Sequence, residues 1–401
     1  MAIQISENGR LFTLHTKNSS YQMFADPFGT LLHLYYGKRT DGENLSDLIF
    51  RTDMGFSGNP PEAGSDRTYS LDYLPQELPS SGVGDYRDDC VRIRHADGSC
   101  AARFLFDSFQ VSEGSYSLPG MPALYDTDAE TGETLTITLR EACSDVRVQL
   151  LYGVFEQADI ITRALKVWNG GQTPVDLEKV LSMSMDIPFG DFDMIYFAGR
   201  HAMERTAERL PVRRAGVRIG SVRGTSSHQY NPAMILCSPN ADEDAGDCYG
   251  FCFVYSGNFT ASAQQDQRNQ TRIQMGIHPD FFSFRLAPGE VFCAPQVILS
   301  YSSRGLTALS RSYHRILREH MCRGPWKHAR RPVLINNWEA TYFDFNREKL
   351  LAIASQAAEL GIEMLVLDDG WFGKRDDDNS GLGDWFVNTE KLGGTLTDLS
   401  E

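Results

Sequence analysis

The sequence predicts a multidomain β plus α/β protein, an N-terminal antiparallel β-sandwich followed by the beginning of a (β/α)8 barrel. Three observations predict it. From residue 1 to about 300, short β-branched and aromatic runs alternate with clusters of Gly, Pro, Asn and Asp. Past residue 303 the apolar period lengthens to that of a helix. After Pro332, two short apolar runs flank a helical pattern, and each ends in polar and aromatic residues.

The strand-like text is clearest in four stretches. "ETLTITLREA" alternates apolar and polar residues from Leu135 to Leu139. "DIITRALKVWNGGQTP" breaks at Asn169-Gly170-Gly171, and "DCYGFCFVYSGNFTA" and "DFFSFRLAPGEVFCAPQVILSYSS" behave alike. No internal repeat or low-complexity tract interrupts them. These features set a first domain over 1–302. Cys248 and Cys252 share a face of one such run with Gly250, and no second pair with metal-ligand spacing follows. Buried core thiols are the expectation.

In "LTALSRSYHRILREHM", the residues Leu306, Leu309, Tyr313, Ile316, Leu317 and His320 fall on one helical face, with His314 off it. Packing or solvation accounts for both histidines more simply than ligation does. "CRGPWKHARRP" follows with two prolines and a basic cluster, so 303–331 reads as a helical linker. The region 332–401 then reads as a β-α-β unit. "PVLINNWEA" is a short strand. "NREKLLAIASQAAEL" is a helix with Asn346 as N-cap, Glu348 in its first turn and Gly361 as its stop. "IEMLVL" is the second strand, expected parallel to the first. A barrel of this kind takes roughly 250 residues. The seventy residues from Pro332 to Glu401 therefore supply about two of its strands and leave strand edges and apolar helix faces bare.

Composition narrows the function classes. A net charge of −15 disfavours nucleic acid and anionic membrane as partners, since both recruit basic surface. No apolar run reaches the length of a membrane span, and the opening residues lack a signal-peptide pattern. Eight cysteines scattered through a chain of this length point to reduced thiols and a cytoplasmic location.

Chemistry concentrates at the end of the second barrel strand, in "LVLDDGWFGKRDDDNSGLGDW". Asp368 and Asp369 have three candidate roles: metal ligands, a catalytic acid and nucleophile, or acceptors for a polyhydroxylated ligand. Metal binding lacks neighbours, because no histidine lies beyond His328. The later acidic loop places Asp376, Asp378, Ser380 and Gly381 at calcium-loop positions, but Val387 stands where the bidentate glutamate belongs. A retaining glycosidase needs two carboxyls about 5–5.5 Å apart, flanking the bond on different sides of the sugar. Adjacent strand residues point to opposite faces unless the strand end bends. Gripping two hydroxyls of one sugar is the easier task for neighbouring carboxylates. Four of five tryptophans, Trp326, Trp338, Trp371 and Trp385, lie in the last 76 residues, most of them in the two strand-end loops. Flat aromatic faces beside acids suit carbohydrate.

The segments "LINNWEATYFDFN" and "LVLDDGWFGKRDDDNSGLGDWFVNTEKL" resemble the bacterial α-galactosidases of glycoside hydrolase family 36. The likeness extends to "LLHLYYGKR", "DRTYSLDYLPQELPSSGVGDYR" and "GFCFVYSGNF", and so covers nearly the whole chain. It implies an N-terminal β-supersandwich, a catalytic (β/α)8 barrel and a homotetramer that acts on galactose-containing oligosaccharides such as melibiose and raffinose. No metal or organic cofactor is implied. The resemblance assigns Asp368 and Asp369 to galactose hydroxyls and sets Trp338 beside the sugar. Asp53 and Arg67 are candidates for the contribution of a neighbouring subunit's N-terminal domain to the pocket.

One departure from the family pattern bears on activity. The Lys-Trp-Asp motif that carries the family's nucleophile is absent from these 401 residues, and so is the acid/base motif. Retaining cleavage through a galactosyl-aspartate is thus expected of a parent enzyme whose catalytic aspartates lie downstream of Glu401. The 401 residues alone are expected to be inactive. Two other readings stay open: a non-catalytic carbohydrate-binding or assembly module from a truncated gene, and a transglycosylase or N-acetylgalactosaminidase of related specificity.

Overall fold

Alternating side chains build the first three hundred residues. In the strand Glu133–Glu141, Leu135, Ile137 and Leu139 are buried and the intervening residues point the other way. The computed structural model describes residues 2–53, 55 and 59–401, which form two compact units, Met1–Cys322 and Arg323–Glu401.

Three antiparallel sheets make up the first unit. A four-stranded meander joins Ile3–Ser6, Leu11–His15, Ser19–Ala25 and Leu31–Lys38 in chain order. A six-stranded sheet is organised on the long strand Val175–Ile187, which pairs with Val91–Arg94, Thr271–Ile277 and Phe284–Leu286. The third sheet, of ten strands, runs from Met203–Pro211 at one edge to Phe104–Glu113 at the other. One apolar cluster draws on all three, with Phe12 and Leu14, Met183 and Ile273, and Leu150 and Phe251 among its members. The β-rich character expected of 1–302 is thus present, and sandwiching is what buries the alternate faces.

The segment 66–87, one of the stretches that carry the family likeness, is mostly turn, and it inserts charge into this core. Glu77 is fully buried. Its Oε1 accepts from Tyr21 Oη and His33 Nδ1, each at 2.7 Å, its Oε2 accepts from Tyr152 Oη at 2.7 Å, and Arg163 Nη1 forms an ion pair with Oε2 at 2.8 Å. Burial pushes this carboxyl up, but the Arg163 guanidinium and the His33 bond outweigh it and hold Glu77 below the ordinary carboxylate range. A second buried set joins Asp186 to Arg272 (2.7 and 2.8 Å), which also reaches Asp85 at 2.8 Å.

The helix Gly305–His320, expected within a linker, packs on the first unit through the predicted stripe. Leu309 and Ile316 are buried against Cys248 and Ile298 respectively. Gly250 permits this approach, since a Cβ there would lie 2.5 Å from the Tyr313 ring. His320 is a packed histidine, its Nδ1 2.8 Å from Tyr125 O and its ring 4.9 Å from that of Phe155, while His314 is exposed. Burial raises the thiols of Cys248 to about 12 and Cys252 to about 11, as inert core thiols require.

In the second unit, Leu334–Asn336 and Met364–Val366 pair in parallel, Ile335 opposite Leu365, with the helix Arg347–Glu359 between them in sequence. Asn346 caps that helix by accepting from Lys349 N at 3.0 Å, and Gly361 turns out of it at φ +78°. One boundary differs from expectation. The first strand stops at Asn336, and Trp338 opens a one-turn helix, Trp338–Thr341. The cause is Asn336, whose Oδ1 accepts from Trp338 N at 2.7 Å and bends the chain out of the sheet.

Candidate functional site

The parallel pair delivers its side chains at the carboxyl ends of both strands. Two adjacent asparagines, Asn336 and Asn337, staple those ends together. Asn337 is fully buried; its Oδ1 accepts from Asp368 N at 2.8 Å, and its Nδ2 donates to Thr341 Oγ1 at 3.0 Å. Asn336 Nδ2 donates to Asp368 Oδ2 at 2.5 Å. Through its two amide atoms, Asn336 therefore couples the position of Asp368 to that of Trp338. Trp338 is partly buried and meets the rings of Tyr342 (5.3 Å) and Phe343 (4.9 Å) edge-on, which fixes the indole plane.

Asp369 has a different environment. Arg375 forks onto it, Nε to Oδ1 at 2.6 Å and Nη2 to Oδ2 at 2.7 Å, and Gly370 N donates to Oδ1 at 2.7 Å. The Arg375 bond holds this carboxyl below its ordinary range. Gly370 adopts φ +90°, and a Cβ there would come within 3.0 Å of the Phe343 ring, so the turn after the acids needs glycine. Asp368 accepts two protein hydrogen bonds, from Asn336 and from Asp369 N, and Asp369 accepts three. An ionised carboxylate has about four acceptor positions. Both retain capacity toward a ligand, Asp368 the more.

Such an arrangement offers acceptors to hydroxyls and is poorly suited to proton transfer. A general acid needs a raised pKa so that it carries its proton near neutral pH. The guanidinium beside Asp369 does the reverse and keeps it ionised.

The acidic loop that looked like a calcium site is organised around a cation of its own. Arg375, nearly buried, donates from Nη1 to the carbonyls of Asp377 (3.1 Å) and Ser380 (2.7 Å), while Lys391 Nζ sits 3.0 Å from Asp376 Oδ1. Among the described residues, no group of three or more His, Cys, Asp or Glu side chains could hold a metal ion, and no helix is long and apolar enough to cross a membrane.

In the first unit, Asp53 and Arg67 find each other. Arg67 Nη2 lies 3.1 Å from Asp53 Oδ1 and 3.0 Å from Gly55 O, and both side chains are exposed. Trp371 and Trp385 form a separate aromatic group around Phe372 (5.2 and 4.5 Å), apart from the Trp338 set. Residue-by-residue reading had missed Asn336, Asn337 and Arg375. The Asn-Asn pair at the end of a strand was the available signal for the first two. Nothing in the sequence around Arg375 distinguished an inward arginine from a solvated one.

Residues 29–287 match the glycosyl hydrolase family 36 N-terminal domain, and residues 291–401 match melibiase. The chain is 51% identical over 399 residues to the bifunctional alpha-galactosidase/sucrose kinase AgaSK of Mediterraneibacter gnavus, covering 100% of this chain and 42% of that protein. Its fold matches the alpha-galactosidase AgaB of Geobacillus stearothermophilus at a TM-score of 0.95 and 44% identity, over 100% of this chain and 54% of that one. A variant of AgaA from the same organism, in complex with raffinose, matches at 0.94 and 43%, over 97% and 54%. The chain spans about half the length of the curated relatives it matches. Sequence, fold and the family model over 29–287 agree: the chain belongs to glycosyl hydrolase family 36.

Proposed function

We propose that this chain is part of an α-galactosidase and supplies the end of its active site that grips galactose, while the bond-breaking aspartates belong to residues outside these 401. One observation carries the reading. Two parallel strands end side by side, with Asn336, Asp368 and an edge-packed Trp338 linked by hydrogen bonds of 2.5 and 2.7 Å. That combination joins oriented acceptors for hydroxyls to a fixed aromatic ring, as a pyranose requires. Relatives that are α-galactosidases, one of them seen with raffinose, agree with it.

On this reading the second unit is the start of a (β/α)8 barrel, with 332–401 contributing its first two strands. In support, Leu334 and Met364 on the strands, Leu351 on the helix and Leu360 just after it are exposed, where a complete barrel buries apolar side chains. Asp368 binds galactose hydroxyls directly. Asp369 does so with its remaining acceptor capacity while Arg375 holds it. Asp53 and Arg67 act as a pair, presented to a neighbouring subunit's pocket in a cytoplasmic homotetramer.

Two measurements on the 401-residue chain test the proposal. Release of nitrophenol from an aryl α-galactoside is expected to be absent. Calorimetric titration is expected to detect galactose in preference to glucose, with the affinity lost in Asp368→Asn. Turnover that disappears in Asp368→Asn would assign catalysis to the strand-end acids and overturn the division of roles. Equal binding of glucose and galactose would overturn the sugar assignment.

A further inference from the structure

The helix Gly305–His320 carries a second stripe. Arg304, just before it, and Arg311 and Arg315 recur at the spacing of one helical face, away from the apolar stripe. That face borders a groove of about 470 Å³ within the first unit. The opposite wall is made by two turns held together. Lys17 N donates to Glu156 O at 2.8 Å, and Asn18 binds Asp159 through its backbone N (2.7 Å) and its Nδ2 (2.5 Å). Lys17 therefore faces the arginine stripe across the groove, with Thr307 and Ser312 also lining it.

Four cations meet here in a chain whose net charge is −15. Among the described residues, none of Lys17, Arg304, Arg311 or Arg315 forms an ion pair, although most other arginines of the first unit do. Two acids line the groove as well. Asp159 is already engaged by Thr16 and by Asn18, and Asp244 is exposed. The first amides of the helix are satisfied by the carbonyls of Gly246, Asp242 and Glu243, so the recognition capacity belongs to side chains. Arg315 spends one donor within the groove, Nη2 to Gln157 O at 2.9 Å, and keeps the rest of its guanidinium, whereas the glutamines bordering the cleft beside Tyr86 have their amides bonded: Gln264 to Arg214 O, Gln267 to Asp72 and Gln274 to Asp88 O.

We propose that this groove binds a phosphate oxyanion, either free or as the monoester of a small polyol. Arginines present planar forks that match phosphate oxygens and the lysine adds a point charge, while the hydroxyls of Thr307 and Ser312 donate within the protein, to Glu243 Oε2 at 3.2 Å and Ala308 O at 3.4 Å. The volume accommodates a hexose monophosphate. The site lies in the first unit and does not rest on the reading of Asp368 and Asp369.

Calorimetric titration of the 401-residue chain with inorganic phosphate, and separately with a hexose monophosphate, tests it at ionic strength fixed by sodium chloride. Saturable binding of either ligand is expected, and tighter binding of the ester identifies the monoester as the occupant. Arg311→Gln and Arg315→Gln are each expected to weaken it roughly tenfold or more, with circular dichroism unchanged because both side chains are exposed. Phosphorus-31 line broadening with the unmutated chain gives a second readout that needs no variant. Heats that follow ionic strength alone, or binding that both substitutions leave intact, would overturn the proposal. So would self-association that Arg311→Gln abolishes in the absence of any phosphate binding, since a second copy would then be the occupant.

Discussion

Each unit holds a carboxylate between an arginine and a cluster of donors, but the two put that chemistry to opposite use. In the first unit, Glu77 accepts from Tyr21, His33 and Tyr152 and pairs with Arg163 in a space closed to solvent. All its acceptor positions face inward, so nothing remains for a ligand. In the second unit, Asp369 is forked by Arg375 from one side only, and Asp368 beside it is held by Asn336. Their remaining lone pairs lie at the ends of two strands. A buried, fully bonded acid specifies packing, whereas a supported but incompletely bonded acid keeps oriented acceptor positions open.

The largest break in this comparison is expected from Arg163→Met. It leaves Glu77 buried without its cation and should cost about 3–5 kcal/mol of stability, measured by chemical denaturation of the first unit. A loss below about 1 kcal/mol would mean that Tyr21, His33 and Tyr152 suffice on their own. Next in size, Asp368→Asn is expected to weaken galactose binding by roughly 1.5–3 kcal/mol while leaving the unfolding midpoint nearly unchanged. If stability falls instead, Asp368 belongs with Glu77 as a structural acid.

Asp369→Asn should loosen the loop 370–381 by about 1–2 kcal/mol, seen as faster amide exchange there, because Arg375 loses its forked partner. The pH dependence has a definite sign. Arg375 lowers the folded-state pKa of Asp369, so its contribution is present above the unfolded value, about 3.9, and fades as pH falls through the folded value. Exchange in 370–381 is therefore expected to quicken on acidification below about pH 4, and in Asp369→Asn that acid-dependent step should be gone. The smallest effect is expected at the exposed pair. Arg67→Ala should change stability by less than about 1 kcal/mol, so any large effect on galactoside turnover in a complete enzyme would mark a functional rather than a structural role.

Much of this was legible in the sequence where local rules govern. Asn346, Glu348 and Gly361 bracket a helix, and one is found from Arg347 to Glu359. The stripe from Leu306 to His320 packs as its spacing demands. The acids at the end of "IEMLVL" do stand at a strand end, next to the other strand's asparagines. What stayed hidden depends on partners far apart in the chain. Glu77 and Arg163 are 86 residues apart, and no periodicity links Asp53 to Arg67. The one-turn helix at Trp338 was missed because a single side-chain bond, from Asn336, outweighs the extended tendency of the run before it.

By itself, the sequence determined most of the elements and the family, because strand alternation, helix caps and the motifs at the strand ends are local properties of the chain. Only the tertiary structure decided how the acids differ. Asp368 and Asp369 are neighbours with one side-chain chemistry, and what separates them is an asparagine brought from the adjacent strand and an arginine folded back from the following loop. Hydrogen-bond capacity is finite, so the partners that the fold assigns to each carboxylate determine what remains for a ligand.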